Sequence, residues 1–303
     1  MCISKEHRRV AFKEQPSTIS GFYLTRAIQG SLIKVFKIMH AQPVDFFARM
    51  VQGRRQGRKL LLLLDYDGTL VEIAPRPELA TPTPGLLRLL ARLMNRLDYA
   101  VVVVSGRPLQ NLLKLLPVPG LNYLGSHGGE GLIAGRPLHL INGEPALSEI
   151  SGWKNQLAGL LEHFTGWWIE DKPQGFVLHY RQVSPGQEDQ LLKIIETWKA
   201  RIVDYGSYQA LPGKKVMEVL PYGVNKGEAI QKILLSSDFI GYFPLYLGDD
   251  TTDESVFAVI QEQGLSFKVG GEGQPTKATH FLKNPAQVRE FLALLATQGE
   301  EKT

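Results

Sequence analysis

Five consecutive leucines at 60–64 stand directly against Asp65, Tyr66, Asp67, Gly68 and Thr69. An apolar run this short, closed by an Asp-Gly turn pair, predicts a strand buried on both faces. The pattern returns at 100–104 before Ser105-Gly106-Arg107, at 121–125 before Ser126-His127-Gly128-Gly129, at 243–247 before Gly248-Asp249-Asp250, and at 266–269. Helical periodicity fills the intervals at 85–97, at 108–116, from Asn225-Lys226-Gly227 through 235, and at 285–295, with a proline-rich loop at 74–84. Strands alternating with helices predict an α/β fold, a parallel sheet covered on both faces.

The middle of the chain breaks this rhythm. Residues 145–164 set Leu147, Ile150, Trp153, Leu157, Leu160 and Leu161 on one helical stripe. Strands at 167–171 and 176–181 follow, joined by Lys172-Pro173-Gln174-Gly175. A helix at 184–199 begins with Ser184 as N-cap before Pro185. Two further strands, 205–211 and 215–220, turn at Pro212-Gly213. The order αββαββ is self-contained. It predicts an inserted α+β domain at 143–221 between the two halves of a core, 58–142 and 222–303.

Composition adds little until the charges are divided. A chain of 303 residues, 44% hydrophobic, can bury the core of a two-part enzyme. Its net charge of +4 comes from residues 1–60, with 12 Lys and Arg against 3 Asp and Glu. The remainder carries 22 against 27 and is mildly acidic, so no nucleic-acid partner is expected. The basic residues belong to an amino-terminal extension, 1–57, whose segment 19–50 has the mixture of an amphipathic helix. A dispensable leader is the favoured reading, over a membrane-surface or targeting element. The single cysteine, Cys2, excludes an internal disulfide and fits a reducing compartment, with cytoplasmic placement expected. No apolar run reaches 18 residues, so no transmembrane span is expected.

The chemistry lies at the strand ends. Alternation points Asp65 and Asp67 to one side, at the carboxyl end of a central strand, where open α/β sheets bind ligands. Two such carboxylates repel unless a cation or a shared proton joins them, and a hard divalent ion such as Mg²⁺ is the natural partner. Ser105 ends a second strand, Asp249 a third, and Lys226 opens a helix. Acid, hydroxyl, acid and ammonium together make a phosphate-and-metal site. No Cys/His cluster suggests zinc, and the glycines form neither a Walker loop nor a GxGxxG fingerprint.

These motifs, DYDGTL at 65–70, SGR at 105–107, GSHGGEG at 125–131, WIEDK at 168–172, LHYR at 178–181, GKKVMEV at 213–219, NKGEA at 225–229 and GDDTTDE at 248–254, resemble the trehalose-6-phosphate phosphatase family of the haloacid dehalogenase superfamily. The resemblance runs from about residue 60 to 295. It implies a Rossmann-like core under a mobile cap, Mg²⁺ as cofactor, a small sugar phosphate as substrate and a functional link to a trehalose-6-phosphate synthase. Its activity would be hydrolysis of trehalose 6-phosphate to trehalose and phosphate. Sucrose phosphate and mannosyl-3-phosphoglycerate phosphatases, a phosphomannomutase-like transferase and a catalytically silent sugar-phosphate sensor are the alternatives.

The resemblance also distributes roles. Asp65 becomes nucleophile and metal ligand, one oxygen for each, forming an aspartyl-phosphate that splits hydrolysis into two steps. Asp67 becomes general acid and base, with its backbone carbonyl offered to the metal. Asp249 is the third metal contact, within four carboxylates in six residues. Glu254 suits a helix N-terminus. Asp253 stands either there or behind the metal ligands, and Asp250 could act through water. Ser105 and Lys226 would hold phosphoryl oxygens. In the cap, Glu170, Lys172, Lys214 and Glu218 are polar residues on strand-like segments whose family counterparts bind the distal glucose, with Lys214 and Lys215 unresolved between them. Arg107 is a phosphate or inter-domain contact. His127, His179 and Arg181 also match, the last two read as structural.

Overall fold

The computed structural model describes residues 57–139, 147–203, 207–271, 273 and 275–297. The amino-terminal extension, Gly57 apart, lies outside them. The elements among the described residues are β1 (Leu60–Asp65), α1 (Pro84–Met94), β2 (Tyr99–Val104), α2 (Leu109–Leu115), β3 (Asn122–Gly125), β4 (Glu130–Ile133), β5 (Arg136–His139), α3 (Leu147–Leu160), β6 (Trp168–Lys172), β7 (Gly175–His179), α4 (Pro185–Val203), β8 (Tyr208–Gly213), β9 (Val216–Pro221), α5 (Lys226–Leu235), β10 (Phe243–Gly248), α6 (Glu254–Ile260), β11 (Leu265–Val269), β12 (His280–Leu282) and α7 (Pro285–Thr297).

The larger sheet has the order β12-β11-β10-β1-β2-β3-β4-β5. It is parallel from β12 to β3 and antiparallel at β3-β4-β5. β1 sits inside it, paired with β10 on one edge and β2 on the other. The leucine run works as strand alternation requires. Leu60, Leu62 and Leu64 pack with Leu86, Leu90 and Leu93 of α1 and with Val288, Phe291 and Leu295 of α7. Leu61 and Leu63 face the other side, with Ile230 and Ile233 of α5 and Phe257 and Ile260 of α6. Two apolar layers therefore clamp the strand that carries Asp65, and each buried leucine contributes roughly 1.5–3 kcal/mol.

The inserted domain forms its own antiparallel sheet, β6-β7-β9-β8. Phe176, Leu178, Met217 and Val219 point to one face, against Trp153, Leu157 and Leu161 of α3 and Leu191, Ile195 and Trp198 of α4. The alternate residues, Glu170, Lys172, Val177, His179, Val216 and Glu218, line a cavity on the opposite face. The period of two assigns packing to one set and recognition to the other.

Four local expectations need correction. The turn between β8 and β9 is Lys214-Lys215, with Gly213 paired to Val216, rather than Pro212-Gly213. Lys214 is therefore on a hairpin tip instead of a strand. The β4–β5 hairpin, turned at Ala134 and Gly135 with φ of 49° and 73°, extends the sheet where no strands were read. The short edge strand β12 is likewise additional. The helix expected to 97 stops at Met94, capped by Thr83 at its start, and Leu97 is left exposed.

Candidate active site

Asp65 is the last residue of β1, and the chain turns sharply behind it. The Tyr66 carbonyl accepts from the N–H groups of Thr69, Leu70 and Val71. Gly68 has φ of +83°, and a Cβ there would lie 2.1 Å from an Asp249 oxygen. Glycine is required both for the turn and for the approach of the two acids. Asp67 lies two residues beyond the end of β1, and its carboxylate faces Arg107 across two bonds of 2.7 Å.

Lys226 is the first residue of α5, after Asn225, whose side chain caps the helix by accepting from Glu228 N–H at 2.9 Å. Its ammonium donates to Asp65 Oδ1 and Asp253 Oδ1, both at 2.7 Å. Tyr246, in β10, donates its hydroxyl to the same Asp253 oxygen at 2.6 Å, and Asp250 N–H donates to Oδ2 at 2.8 Å. Asp253 is thus fully buried and held from three directions. Ser105 follows β2, and its hydroxyl accepts from Arg107 N–H at 3.1 Å.

The remaining Asp65 oxygen, Oδ2, is buried and has no hydrogen-bond partner. Carboxylate oxygens of Asp65, Asp249 and Asp253 lie within 4.8 Å of one another. Burial raises the Asp65 carboxyl well above its ordinary value; Lys226 opposes this, and Asp253 and Asp249 add to it. Burial likewise lifts Asp249 to about 6 against the pull of Lys214. For Asp253, burial is outweighed by Lys226 and by hydrogen bonds, so its carboxyl is lowered. Burial is similarly outweighed at Lys226, which its acids hold well above the lysine range. Oxygen-only donors, clustered acids and an orphaned buried oxygen fit a hard divalent cation.

Cap residues line the cavity opposite the core, and its volume is about 280 Å³. Glu170 accepts from Lys172 at 2.6 Å and hydrogen-bonds His179 Nε2 at 2.9 Å, while His179 stacks flat on Trp168 at 3.8 Å. Burial opposes the charge on Glu170, but His179 and Lys172 bring its carboxyl down to about 2. Lys214 reaches Asp249 of the core, whereas Lys215 pairs with Glu188 in its own domain. Arg181 donates to the carbonyls of Ala74 at 2.5 Å and Lys214 at 2.9 Å. Glu218 meets His127 at 2.5 Å.

All ten residues assigned from the sequence, Asp65, Asp67, Ser105, Arg107, Glu170, Lys172, Lys214, Glu218, Lys226 and Asp249, line this one cavity. His179 and Arg181, read as structural, line it too. Sequence reasoning passed over Tyr246 and left Asp253 between two readings. The one signal for Tyr246 is a polar tip inside an otherwise apolar strand. Asn111 was also missed; it accepts from Arg107 Nη1 at 3.0 Å.

A parallel sheet with an inserted antiparallel cap and acids converging at the strand ends defines a capped hydrolase of the haloacid dehalogenase type. A haloacid dehalogenase-like hydrolase from Bacteroides thetaiotaomicron has this fold, with TM-score 0.53 and 17% identity over 78% of this chain and 99% of that one. The family model described as trehalose-phosphatase matches residues 63–286, and the chain belongs to that family. It is 34% identical to the trehalose-6-phosphate phosphatase of Escherichia coli K12 over 247 residues, 80% of this chain and 89% of that protein. The C-terminal domain of the C. albicans trehalose-6-phosphate phosphatase superposes with TM-score 0.71 and 27% identity, over 82% and 96% of the two chains. No helix among the described residues is long and apolar enough to cross a membrane.

Proposed function

We propose that the chain hydrolyses trehalose 6-phosphate to trehalose and inorganic phosphate through a phosphorylated Asp65, with Mg²⁺ as cofactor. The observation that carries this reading is Asp65 itself: one oxygen is held by Lys226 and the other is orphaned, inside a cavity roofed by sugar-binding types of side chain. Asp65 Oδ2 attacks phosphorus, and the bond from phosphorus to the sugar oxygen breaks. Asp67, protonated, gives its proton to that oxygen. The Asp67 carboxylate then takes a proton from water, whose oxygen attacks phosphorus and restores the Asp65 carboxylate with release of phosphate. Ser105 and Lys226 hold the phosphoryl oxygens as charge spreads over them. Asp65, Asp249 and Asp253, or the Asp67 carbonyl in place of Asp253, would hold Mg²⁺. When bound, the ion supplies positive charge that offsets the crowded acids and the incoming phosphate. Glu170, Lys172, Lys214 and Glu218 read the second sugar ring. A trehalose-6-phosphate synthase is the natural supplier of such a substrate.

The test is phosphate release from a panel of sugar phosphates, with and without Mg²⁺ after exhaustive chelation, for the parent and for Asp65→Asn. Trehalose 6-phosphate should be preferred, turnover should require the added ion, and the variant should be inactive while folded. Preference for sucrose phosphate or mannosyl-3-phosphoglycerate would replace the substrate. Activity of D65N within tenfold of the parent would remove the nucleophile.

A further inference from the structure

The segment 125–130, Gly-Ser-His-Gly-Gly-Glu, has no part in the chemistry above, yet its backbone is held in a conformation that costs energy. Ser126, His127 and Gly128 have φ of 48°, 54° and 94°, three successive left-handed residues of which only one is glycine. Such strain persists only where the surroundings over-determine it. Here Ser126 N–H donates to the Arg107 carbonyl at 2.8 Å and His127 N–H to the Ser105 carbonyl at 3.0 Å. Glu130 accepts from Leu109 N–H at 2.9 Å and from the Ser126 hydroxyl at 2.7 Å. The loop is therefore fastened to residues 105–109, the stretch that presents Ser105 and Arg107.

The outcome of this bracing is the position of one imidazole. His127 Nε2 lies 2.5 Å from Glu218 Oε2, on cap strand β9, and both side chains are largely buried. Gly106 leaves the ring its room, since a Cβ there would fall 2.5 Å from Nε2. Gly128 lets the loop itself lie against α5, where a Cβ would meet Ala229 Cβ at 2.2 Å. The second ring nitrogen, Nδ1, is buried and without a partner. A core side chain, set by a strained loop, thus grips a cap carboxylate at the wall of the cavity.

We propose that His127 is a positioning residue that sets sugar specificity: from the core it fixes the Glu218 carboxylate, and with it β9, so that the other Glu218 oxygen faces the sugar hydroxyls. The proposal rests on the reading of the cavity as a sugar-phosphate site. A carboxylate with one oxygen tied presents a preorganised acceptor, so less freedom is lost when the sugar docks. The phosphoryl end of the substrate, held by Ser105 and Lys226, does not depend on this contact.

Steady-state kinetics of the full chain with trehalose 6-phosphate and with p-nitrophenyl phosphate test it, using His127→Ala, His127→Gln, His127→Asn and the H127A/E218A double variant. For trehalose 6-phosphate, H127A should raise KM at least tenfold with a smaller change in kcat, and the relative loss on p-nitrophenyl phosphate should be at least fivefold less. Gln carries a donor of comparable reach and should recover part of the loss. Asn tolerates left-handed backbone but is too short, so it should fold yet behave as Ala does. In the double variant the losses should not multiply. Equal losses on the two substrates, or multiplying losses, would overturn the proposal. Should the parent not hydrolyse trehalose 6-phosphate, the functional reading fails by itself. The His127–Glu218 coupling, measured in a double-mutant cycle of stability, then decides the contact, and zero coupling overturns it.

Discussion

Arg107 grips Asp67 with one edge of its guanidinium, Nε donating to Oδ2 and Nη2 to Oδ1, each at 2.7 Å. Its other donors are taken by Asn111 at 3.0 Å and the Pro77 carbonyl at 2.7 Å, and the Tyr66 ring lies beneath it at 5.0 Å. Burial opposes the cation, but the hydrogen bonds to Asp67 and its charge more than offset this and raise the Arg107 pKa. The fork occupies both Asp67 oxygens, so under the proposed mechanism it must loosen before that side chain can reach a leaving-group oxygen. Arg107→Lys keeps the charge and loses the bidentate geometry. We expect kcat for the sugar phosphate to fall by about 10²-fold, the scale of a positioned acid–base group, with KM moving less. An unchanged kcat would detach Arg107 from the proton transfer.

Gly68→Ala places a methyl group where Asp249 stands and imposes an L-residue at φ of +83°. The backbone term costs about 1–2 kcal/mol, which a domain this size tolerates. Displacing Asp249 should be worse for function, since a shift of about 1 Å can reduce turnover about 10²-fold. The variant should therefore be soluble and folded by circular dichroism, and nearly inactive. Loss of the fold together with activity would mean that the turn, rather than the pairing of the acids, is what glycine protects.

Lys226→Met leaves Asp65 and Asp253 buried without their shared cation. Breaking a buried pair by removing one partner costs about 3–5 kcal/mol, so the melting temperature should drop by several degrees. With the ammonium gone, a divalent cation has less charge to compete with. Added Mg²⁺ should then raise the melting temperature of K226M more than that of the parent. Thermal melts with and without Mg²⁺ check this, and an equal shift in the two proteins would separate Lys226 from the cation site.

Glu170 has a folded-state pKa of about 2 against an ordinary 4.5. A depressed acid stabilises the fold above its unfolded value, and this is lost as pH falls through the folded one. The parent should therefore exceed Glu170→Gln in stability above pH 4.5, and the difference should shrink between pH 4.5 and about 2. Urea unfolding at a series of pH values, followed by fluorescence, measures it, with Trp168 stacked on the neighbouring His179 as an internal probe. A difference that stays constant down to pH 2 would mean that ionised Glu170 is not what His179 and Lys172 hold.

Much of this could be read from the sequence because its signals are physical. Leu60–Leu64 has only one way to bury five leucines in a row, between two apolar layers, and that fixes where Asp65 emerges. Glu170 and Glu218 reach the cavity because their strand neighbours Ile169, Met217 and Val219 pack inward. The failures have equally local causes. Lys214 and Lys215 are the same residue type side by side, and only the left-handed φ of 62° at Lys215 turns one toward the core and the other away. β4 and β5 are four residues each, and their glycine-rich approach reads as loop. The hydroxyl of Tyr246 finds Asp253 seven residues later, across a turn whose geometry no periodicity reveals.

The place of β1 between β2 and β10 has a consequence for how the chain is made. β2 leaves the ribosome soon after β1, but β10 begins at Phe243, roughly 180 residues behind Leu60. At about 5–20 residues per second, that edge of the leucine strand waits about 10–40 s for its partner. Meanwhile the nucleophile candidate has been synthesised while Lys226, Asp249 and Asp253 have yet to emerge. The nascent protein thus carries an apolar, unpaired edge of the kind that invites aggregation, and the insertion of the cap lengthens the wait. Slowing elongation after the cap should lower the soluble yield more than slowing it before residue 60.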